Sequence, residues 1–219
     1  MSTPAQRNPG GDPIGWKLNP DYQIAFDPIP AWVRATLGGI TVVETHGAHV
    51  MYELGHAPIY YLPRADVDMS RLEQTDRDTY CPYKGHATYW TVRAGDAVAE
   101  NAVWAYLSPY PELAALKDYL GFYWGKMDAW YEDDVEVKGP REIPGRVDTT
   151  TQLKRLFPAL AAEWHPTRNP GIKPYEFPAY SSTVVWWQDA SGREWQERIR
   201  DRVLAATTLR TDGDANPYG

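Results

Sequence analysis

From Tyr22 to Val137 apolar and polar residues alternate in short runs cut by glycine and proline, the pattern of half-buried strands rather than of helices. Tyr22–Phe26 opens the series. In Ala31–Leu37, Trp32, Arg34 and Thr36 alternate with Val33, Ala35 and Leu37, Gly38-Gly39 supplies a turn, and Ile40–Glu44 continues as the second arm of a hairpin. His49–Glu53 leads through Gly55 to Ile59–Leu62, where Pro63, lacking an N–H, closes the run. Asp66–Asp78 is polar and acidic and reads as a loop with a helical turn. Pro82 and Gly85 bracket the next turn, and the alternation in His86–Arg93 sends Tyr89 and Trp90 to opposite faces. Gly95-Asp96 makes another hairpin, and the strand from Val98 to Tyr106 carries Trp104 and Tyr106 on one face. Pro111 suits a first helical turn, and Leu113, Leu116 and Leu120 predict the one helix of this region. Strands resume in Phe122–Met127 and Asp128–Val137, and Gly139-Pro140 and Pro144-Gly145 end the module.

The last third changes character. A helical stripe of Leu153, Leu156 and Leu160 ends near Trp164, and after a proline-rich loop Thr183–Trp187 and Arg193–Arg200 predict a hairpin through Ser191-Gly192. The division is therefore a flexible N-terminal segment (1–21), an antiparallel β domain (22–148), a small helix-and-hairpin module (149–206) and a disordered tail (207–219). The fold class is mainly β.

Composition narrows what such a protein does. No apolar run reaches the roughly 18 residues of a membrane helix, and the first residues lack a secretory leader, so no membrane is expected and the location is read as cytoplasmic. The formal charge of −7 makes nucleic acid an improbable partner. The single cysteine is a free thiol in this chain and cannot build a cysteine-rich zinc site. The 10 Trp and 15 Tyr against 4 Phe give a ring surface with polar handles, which suits pockets as well as cores.

The densest group of special residues is T-Y-C-P-Y-K-G-H-A-T-Y-W-T-V-R, Thr79 to Arg93. Within it Cys81-Pro82-Tyr83-Lys84-Gly85 is the best candidate for a site. A lysine near the sulfur could activate Cys81 as a nucleophile, or Lys84 could hold an anionic ligand group. A small buried hydrophobe is the commoner role of a free cysteine, and a solvated turn residue that of a lysine. Asp128, set among aromatic residues, is a candidate acid or base, although a hydrogen-bonded structural aspartate is the commoner case. Tyr60, Tyr61, Tyr83, Tyr89, Trp90, Trp104, Tyr106 and Trp130 supply core and, in part, pocket lining. His46, His49, His56 and His86 lack metal-ligand spacing, so neither metal nor cofactor is expected.

Residues support a resemblance as well. The strings G-G-I-T-V-V-E-T, Y-E-L-G-H-A-P-I-Y-Y-L-P-R-A-D-V, T-Y-C-P-Y-K-G-H-A-T-Y-W, A-E-N-A-V-W-A-Y and D-A-W-Y-E-D-D, over about residues 32–148, resemble domain of unknown function 427, a family also labelled a nucleotidyltransferase domain. The resemblance implies a compact antiparallel β domain of Mss4-like topology and no established activity. The chain has neither a Gly-Ser followed by paired metal-binding aspartates nor a glycine-rich phosphate loop, so nucleotide chemistry is not expected. Where the family motif reads Glu-Thr-Gly, this chain has Glu53-Leu54-Gly55. The strings P-A-L-A-A-E-W-H-P-T-R-N and V-V-W-W-Q-D-A-S-G-R-E-W-Q-E-R-I-R-D-R, about residues 156–202, resemble the treble-clef zinc-ribbon family called domain of unknown function 4379. That family implies a C-x-x-C pair where this chain has Gln188 and Ser191, so the zinc site is degenerate and packing of Trp164, Trp186, Trp187 and Trp195 is expected to hold the module.

Two readings follow. One is a binding module that holds a small polar or aromatic ligand in an aromatic pocket rimmed by Cys81, Lys84 and Glu53 or Asp128. The other is an enzyme acting on a small molecule, with Cys81 as nucleophile and Asp128 or Glu53 moving protons. A weaker third is docking of a protein or nucleic-acid partner on the C-terminal module through Arg193, Arg198, Arg200 and Arg202.

Overall fold

The computed structural model describes residues 13–20, 22–54, 56–141 and 151–208. The protein is built on antiparallel β structure. Its β domain has eleven strands: β1 (Ile24–Pro28), β2 (Val33–Leu37), β3 (Ile40–Thr45), β4 (His49–Glu53), β5 (Ile59–Pro63), β6 (Leu72–Cys81), β7 (Gly85–Ala94), β8 (Ala97–Ala105), β9 (Tyr119–Phe122), β10 (Ala129–Glu132) and β11 (Val135–Val137). They form a seven-stranded sheet of order β1-β4-β5-β9-β8-β7-β6 and a four-stranded sheet of order β11-β10-β2-β3. Alternation along each strand sends one set of side chains between the sheets. That shared core includes Val33, Ala35 and Trp130 from the smaller sheet and Val50, Tyr60, Leu62, Trp90, Val92 and Phe122 from the larger one.

Three segments of the β domain depart from the reading of the sequence; one is Phe122–Met127, read as a strand, where the preceding strand β9 ends at Phe122 and a 3₁₀ turn, Trp124–Lys126, follows. Most of the acidic stretch 66–78 is not a loop: after 3₁₀ turns at Arg64–Asp66 and Met69–Arg71 it runs into the ten-residue edge strand β6, paired with β7. Its charges mark a strand that lies at the sheet edge and faces water, where polar side chains also discourage pairing with another chain. The segment at Pro111–Asp118 is a 3₁₀ run, non-helical at Leu113 (φ −129°, ψ 34°), and Leu120 belongs to β9. The leucine spacing therefore spans a helical run and a strand instead of one helical stripe.

The C-terminal module comprises α2 (Leu153–Leu156), α3 (Pro158–Ala161), the hairpin β12 (Val184–Gln188) and β13 (Glu194–Arg198), and α4 (Ile199–Thr208). The expected stripe breaks at Phe157 (φ −133°, ψ 64°), because proline at 158 disfavours the α conformation in the residue before it, and Leu156 is left exposed. Helix α4 extends into the segment read as a tail, whose residues 209–219 lie outside the described ones, as do 1–12 of the N-terminal segment, Gly55, and the Pro144-Gly145 boundary.

Residues 13–20 are not draped loosely over the surface. Helix α1 (Ile14–Leu18) presses on the turn between β6 and β7. Gly15 donates its N–H to Pro82 O at 3.0 Å, and a Cβ at residue 15 would stand 2.7 Å from that oxygen, so the contact requires glycine. On its other side, Leu18 O accepts from Thr183 Oγ1 of the C-terminal module at 2.6 Å. Tyr22, Leu54 and Tyr83 of the β domain share one apolar core with Leu160, Phe177, Val185 and Trp187. The module thus completes its own core on the end of the β domain.

Candidate functional site

Where these three segments meet, the structure buries charge. Gly85 (φ +100°) turns the chain at the end of β6 and places Lys84 inside, 5% exposed, with its ammonium donating to Glu53 Oε1 at the end of β4. Tyr22 Oη donates to the same oxygen at 3.0 Å and stacks on Tyr83 with ring centroids 3.8 Å apart. Tyr83 Oη in turn donates to Glu176 Oε2 at 3.2 Å, and Glu176 sits on the 3₁₀ turn Pro174–Glu176 of the C-terminal module. Trp16 Nε1 bonds Tyr83 O at 2.9 Å, and Asn19 Nδ2 bonds Glu176 O at 2.7 Å. The chain Lys84, Glu53, Tyr22, Tyr83, Glu176 crosses from the β domain to the module through buried side chains.

Electrostatics differ sharply along it. Burial would raise the Glu53 carboxyl, but Lys84 and His56, with hydrogen bonds from Lys84 and Tyr22, hold it below its ordinary value. Burial would lower Lys84, and the charge of Glu53 outweighs it and pushes the ammonium up. This pair is ionised. Among the described residues Glu176 has no cation at hydrogen-bond distance, and burial dominates and raises it to about 7 despite bonds from Lys173 N and Tyr83 Oη.

Strand alternation divides the aromatic candidates into two sets. Tyr60, Trp90 and Trp130 lie between the sheets, and Tyr60 and Trp130 have their polar handles met by protein: Tyr60 Oη donates to Glu132 and Trp130 Nε1 donates to Trp124 O at 3.1 Å. They fill the core and do not line the junction. Tyr61, Tyr89, Trp104 and Tyr106 gather on the opposite face of the seven-stranded sheet, with Cys81 packed at the cluster's edge. Trp104 lies across Gly121, where a Cβ would come within 2.6 Å of the indole, and its Nε1 donates to Tyr61 Oη at 3.3 Å. Lys84 Nζ stands 5.9 Å from the Tyr106 ring centroid, so this aromatic face ends at the ion pair. Tyr83 belongs to the junction core. Tyr89 and Trp90 face opposite ways, as the alternation predicts.

Asp128 does not join this group. It is exposed, and its Oδ2 accepts the Gly38 N–H at 2.5 Å, capping the β2–β3 hairpin. Gly38 abuts Ala94 and Ala97 at the far end of β7 from Lys84, about 30 Å along a ten-residue strand. Cys81 is near Lys84, but burial pushes its thiol up and outweighs the lysine. A thiol raised in this way is protonated at neutral pH, the reverse of what a nucleophile needs. The groups that reach the junction without having been singled out are Trp16, Asn19, Tyr22 and Glu176. The K-P-Y-E context of Glu176 carries no motif, and only the fold brings it to Tyr83.

Fold and site together define an antiparallel two-sheet β protein whose end is closed by a small helix-and-hairpin module, with an ion pair buried at the seam. Residues 25–133 match the family described as domain of unknown function (DUF427), and residues 160–210 match the family described as a probable treble clef zinc finger domain. No curated protein matches the chain significantly. The candidate site draws Glu53, Tyr83 and Lys84 from the first stretch, Glu176 from the second, and Trp16, Asn19 and Tyr22 from the residues before both.

The residues of the second stretch do not fit zinc. Gln188 and Ser191 occupy the hairpin tip, and His165 Nε2 is engaged with Glu194 Oε1 at 2.9 Å. Among the described residues no three His, Cys, Asp or Glu side chains gather as a metal site. Asp189 organises the tip instead: its Oδ1 accepts the N–H of Ser191 at 2.9 Å, the Ser191 hydroxyl at 2.6 Å and the N–H of Arg193 at 3.1 Å. Of the four tryptophans, Trp187 is buried against Trp164 (centroids 5.8 Å), Trp195, its cross-strand partner, packs at the edge of the same core beneath Arg193, and Trp186 alone turns away from it, beneath Arg168. The arginines named for partner docking face acids: Arg193 pairs with Asp189, Arg198 and Arg200 with Asp201, and Arg202 with Glu163. Among the described residues no helix is long and apolar enough to cross a membrane.

Proposed function

We propose that the protein binds a small molecule at the Lys84–Glu53 pair, with the ligand's flat or apolar part on the aromatic face formed by Tyr61, Tyr89, Trp104 and Tyr106. The observation that carries this reading is the state of Lys84. Its ammonium has three donors, is almost fully buried, and has one hydrogen-bond acceptor among the described residues, Glu53. Leaving buried N–H groups without acceptors is costly, so the site favours a ligand group with lone pairs beside Glu53. Because Glu53 already balances the lysine charge, a carbonyl or hydroxyl suits the place better than a second carboxylate. Buried ion pairs contribute little net stability over well-packed apolar residues, which leaves a binding role as the reason for retaining one.

The test is thermal stabilisation across a library of small metabolites, with each hit repeated on Lys84→Met and on the double variant Lys84→Met/Glu53→Leu. A ligand of this site raises the melting temperature of the wild type with the logarithm of its concentration once above its dissociation constant and has no effect on the double variant. A screen without hits, or hits that survive in the double variant, overturns the reading.

A further inference from the structure

The other buried acid at the seam supports a separate conclusion, beyond ligand binding. We propose that Glu176 is a proton-sensitive latch: with its proton it holds the C-terminal module and α1 against Tyr83, and without it both loosen from the β6–β7 turn and uncover Cys81. The geometry is that of a keystone. Glu176 is 5% exposed, its Oε2 meets Tyr83 Oη and Lys173 N, and its backbone oxygen holds Asn19 of the segment that follows α1. Tyr83, at the other end of the contact, bonds Trp16 through its carbonyl and stacks on Tyr22. Loss of the proton leaves these donors in place but sets a carboxylate without a close cation inside the seam, and opening the seam to water to relieve that charge acts on both coverings of the turn.

The surroundings of Glu176 set the sign. The module supplies Lys173, which contributes its backbone N–H, and Tyr175; the β domain supplies Tyr83, Glu53, Lys84, Cys81 and His56; the N-terminal segment supplies Tyr22 and Asn19. Lys84, the one buried lysine or arginine among the described residues, bonds Glu53, so an ionised Glu176 would be a second carboxylate near a single ammonium. Its carboxyl is raised from the ordinary 4.5 to about 7 by burial. A group raised on docking contributes stability in full below its undocked value and loses it as pH rises through the docked one. Docking is therefore tightest below about pH 4.5, weakens between there and pH 7, and is level above.

Cys81 reads this directly, being the only thiol and packed against both the junction core and the aromatic face. Its labelling by iodoacetamide is followed by mass spectrometry in the full chain and in Glu176→Gln from pH 5 to 8.5. Taking the ratio of the two rates at each pH cancels the titration of the thiol itself. The ratio of wild type to variant is expected to rise about tenfold or more across the interval. A ratio that stays flat overturns the proposal. Hydrogen exchange of the wild type, corrected for intrinsic rates, serves where the variant does not fold. Between pH 5.5 and 8 protection is expected to fall at residues 13–20 and 172–178 while β7 and β8 keep theirs, and a uniform change or none rejects the latch.

Discussion

The β domain buries polar groups in two places by opposite means. Between the sheets, Trp130 stacks on Trp124 (centroids 4.7 Å), meets Tyr60 and Phe122 edge-on, and places its N–H on a backbone carbonyl. The adjacent Tyr60 hydroxyl lies between Glu132 and the Arg141 N–H. This region is complete in itself. At the seam, among the described residues, Lys84 has a single acceptor and Glu176 lacks a cation of its own. The first arrangement serves stability; the second holds unpaired capacity that packing alone would have eliminated. Removing a side chain should therefore mean different things in the two regions.

The largest effect is expected in the closed region. Trp130→Ala deletes a side chain 2% exposed and leaves its neighbours around a void, which costs about 3 to 5 kcal/mol. Urea unfolding should show the midpoint falling with the slope unchanged, and a loss under about 1 kcal/mol would contradict the assignment of Trp130 to the core.

The seam should give a smaller loss that is reversible by a second change. Lys84→Met alone leaves Glu53 buried without its cation, at a cost of about 3 kcal/mol. Adding Glu53→Leu removes the orphan charge, and the double variant should recover to within about 1 kcal/mol of the wild type or exceed it. Recovery would separate the pair from the fold and leave function as its reason. A double variant as unstable as the single one would make the pair structural and erase the contrast between the two regions.

How much of this could be read in the sequence follows from the range of the forces involved. The antiparallel class, the β2–β3 and β7–β8 hairpins and the opposed faces of Tyr89 and Trp90 rest on period-two alternation and on glycine turns, which are local. Strand β6 was hidden because an exposed edge strand carries charges on positions that a buried strand would fill with apolar residues. The broken stripe at Phe157 was legible in principle, since Pro158 forbids its continuation. The Cys81–Gly85 turn was marked by composition. Of its partners only Glu53 is among the candidates, as an alternative to Asp128; Tyr22 and Glu176 are not, because pairing across 31 or 93 residues leaves no periodic trace. The aromatic list mixed two buried clusters because a tyrosine between the sheets and one packed on the other face of the larger sheet look alike until register is known.

The smallest effect lies in the hairpin between β12 and β13, and it extends the contrast to a third buried or tethered polar group. In a zinc ribbon the metal gathers the hairpin tip, whereas here one carboxylate, Asp189, accepts from two backbone N–H groups and a hydroxyl. Because the tip is exposed, these bonds replace water and contribute little, so Asp189→Ala is expected to leave the unfolding midpoint almost unchanged and to raise hydrogen exchange at Ser191 and Arg193 first. The hairpin remains attached through Trp187, which is fully buried in the core shared with Tyr22 and Tyr83. A strong zinc chelator should leave the melting temperature of the wild type unchanged. A drop on chelation, restored by added zinc, would mean that a metal rather than Asp189 and the shared core sustains the module. The seam would then have to be reconsidered as a surface whose docking depends on that metal.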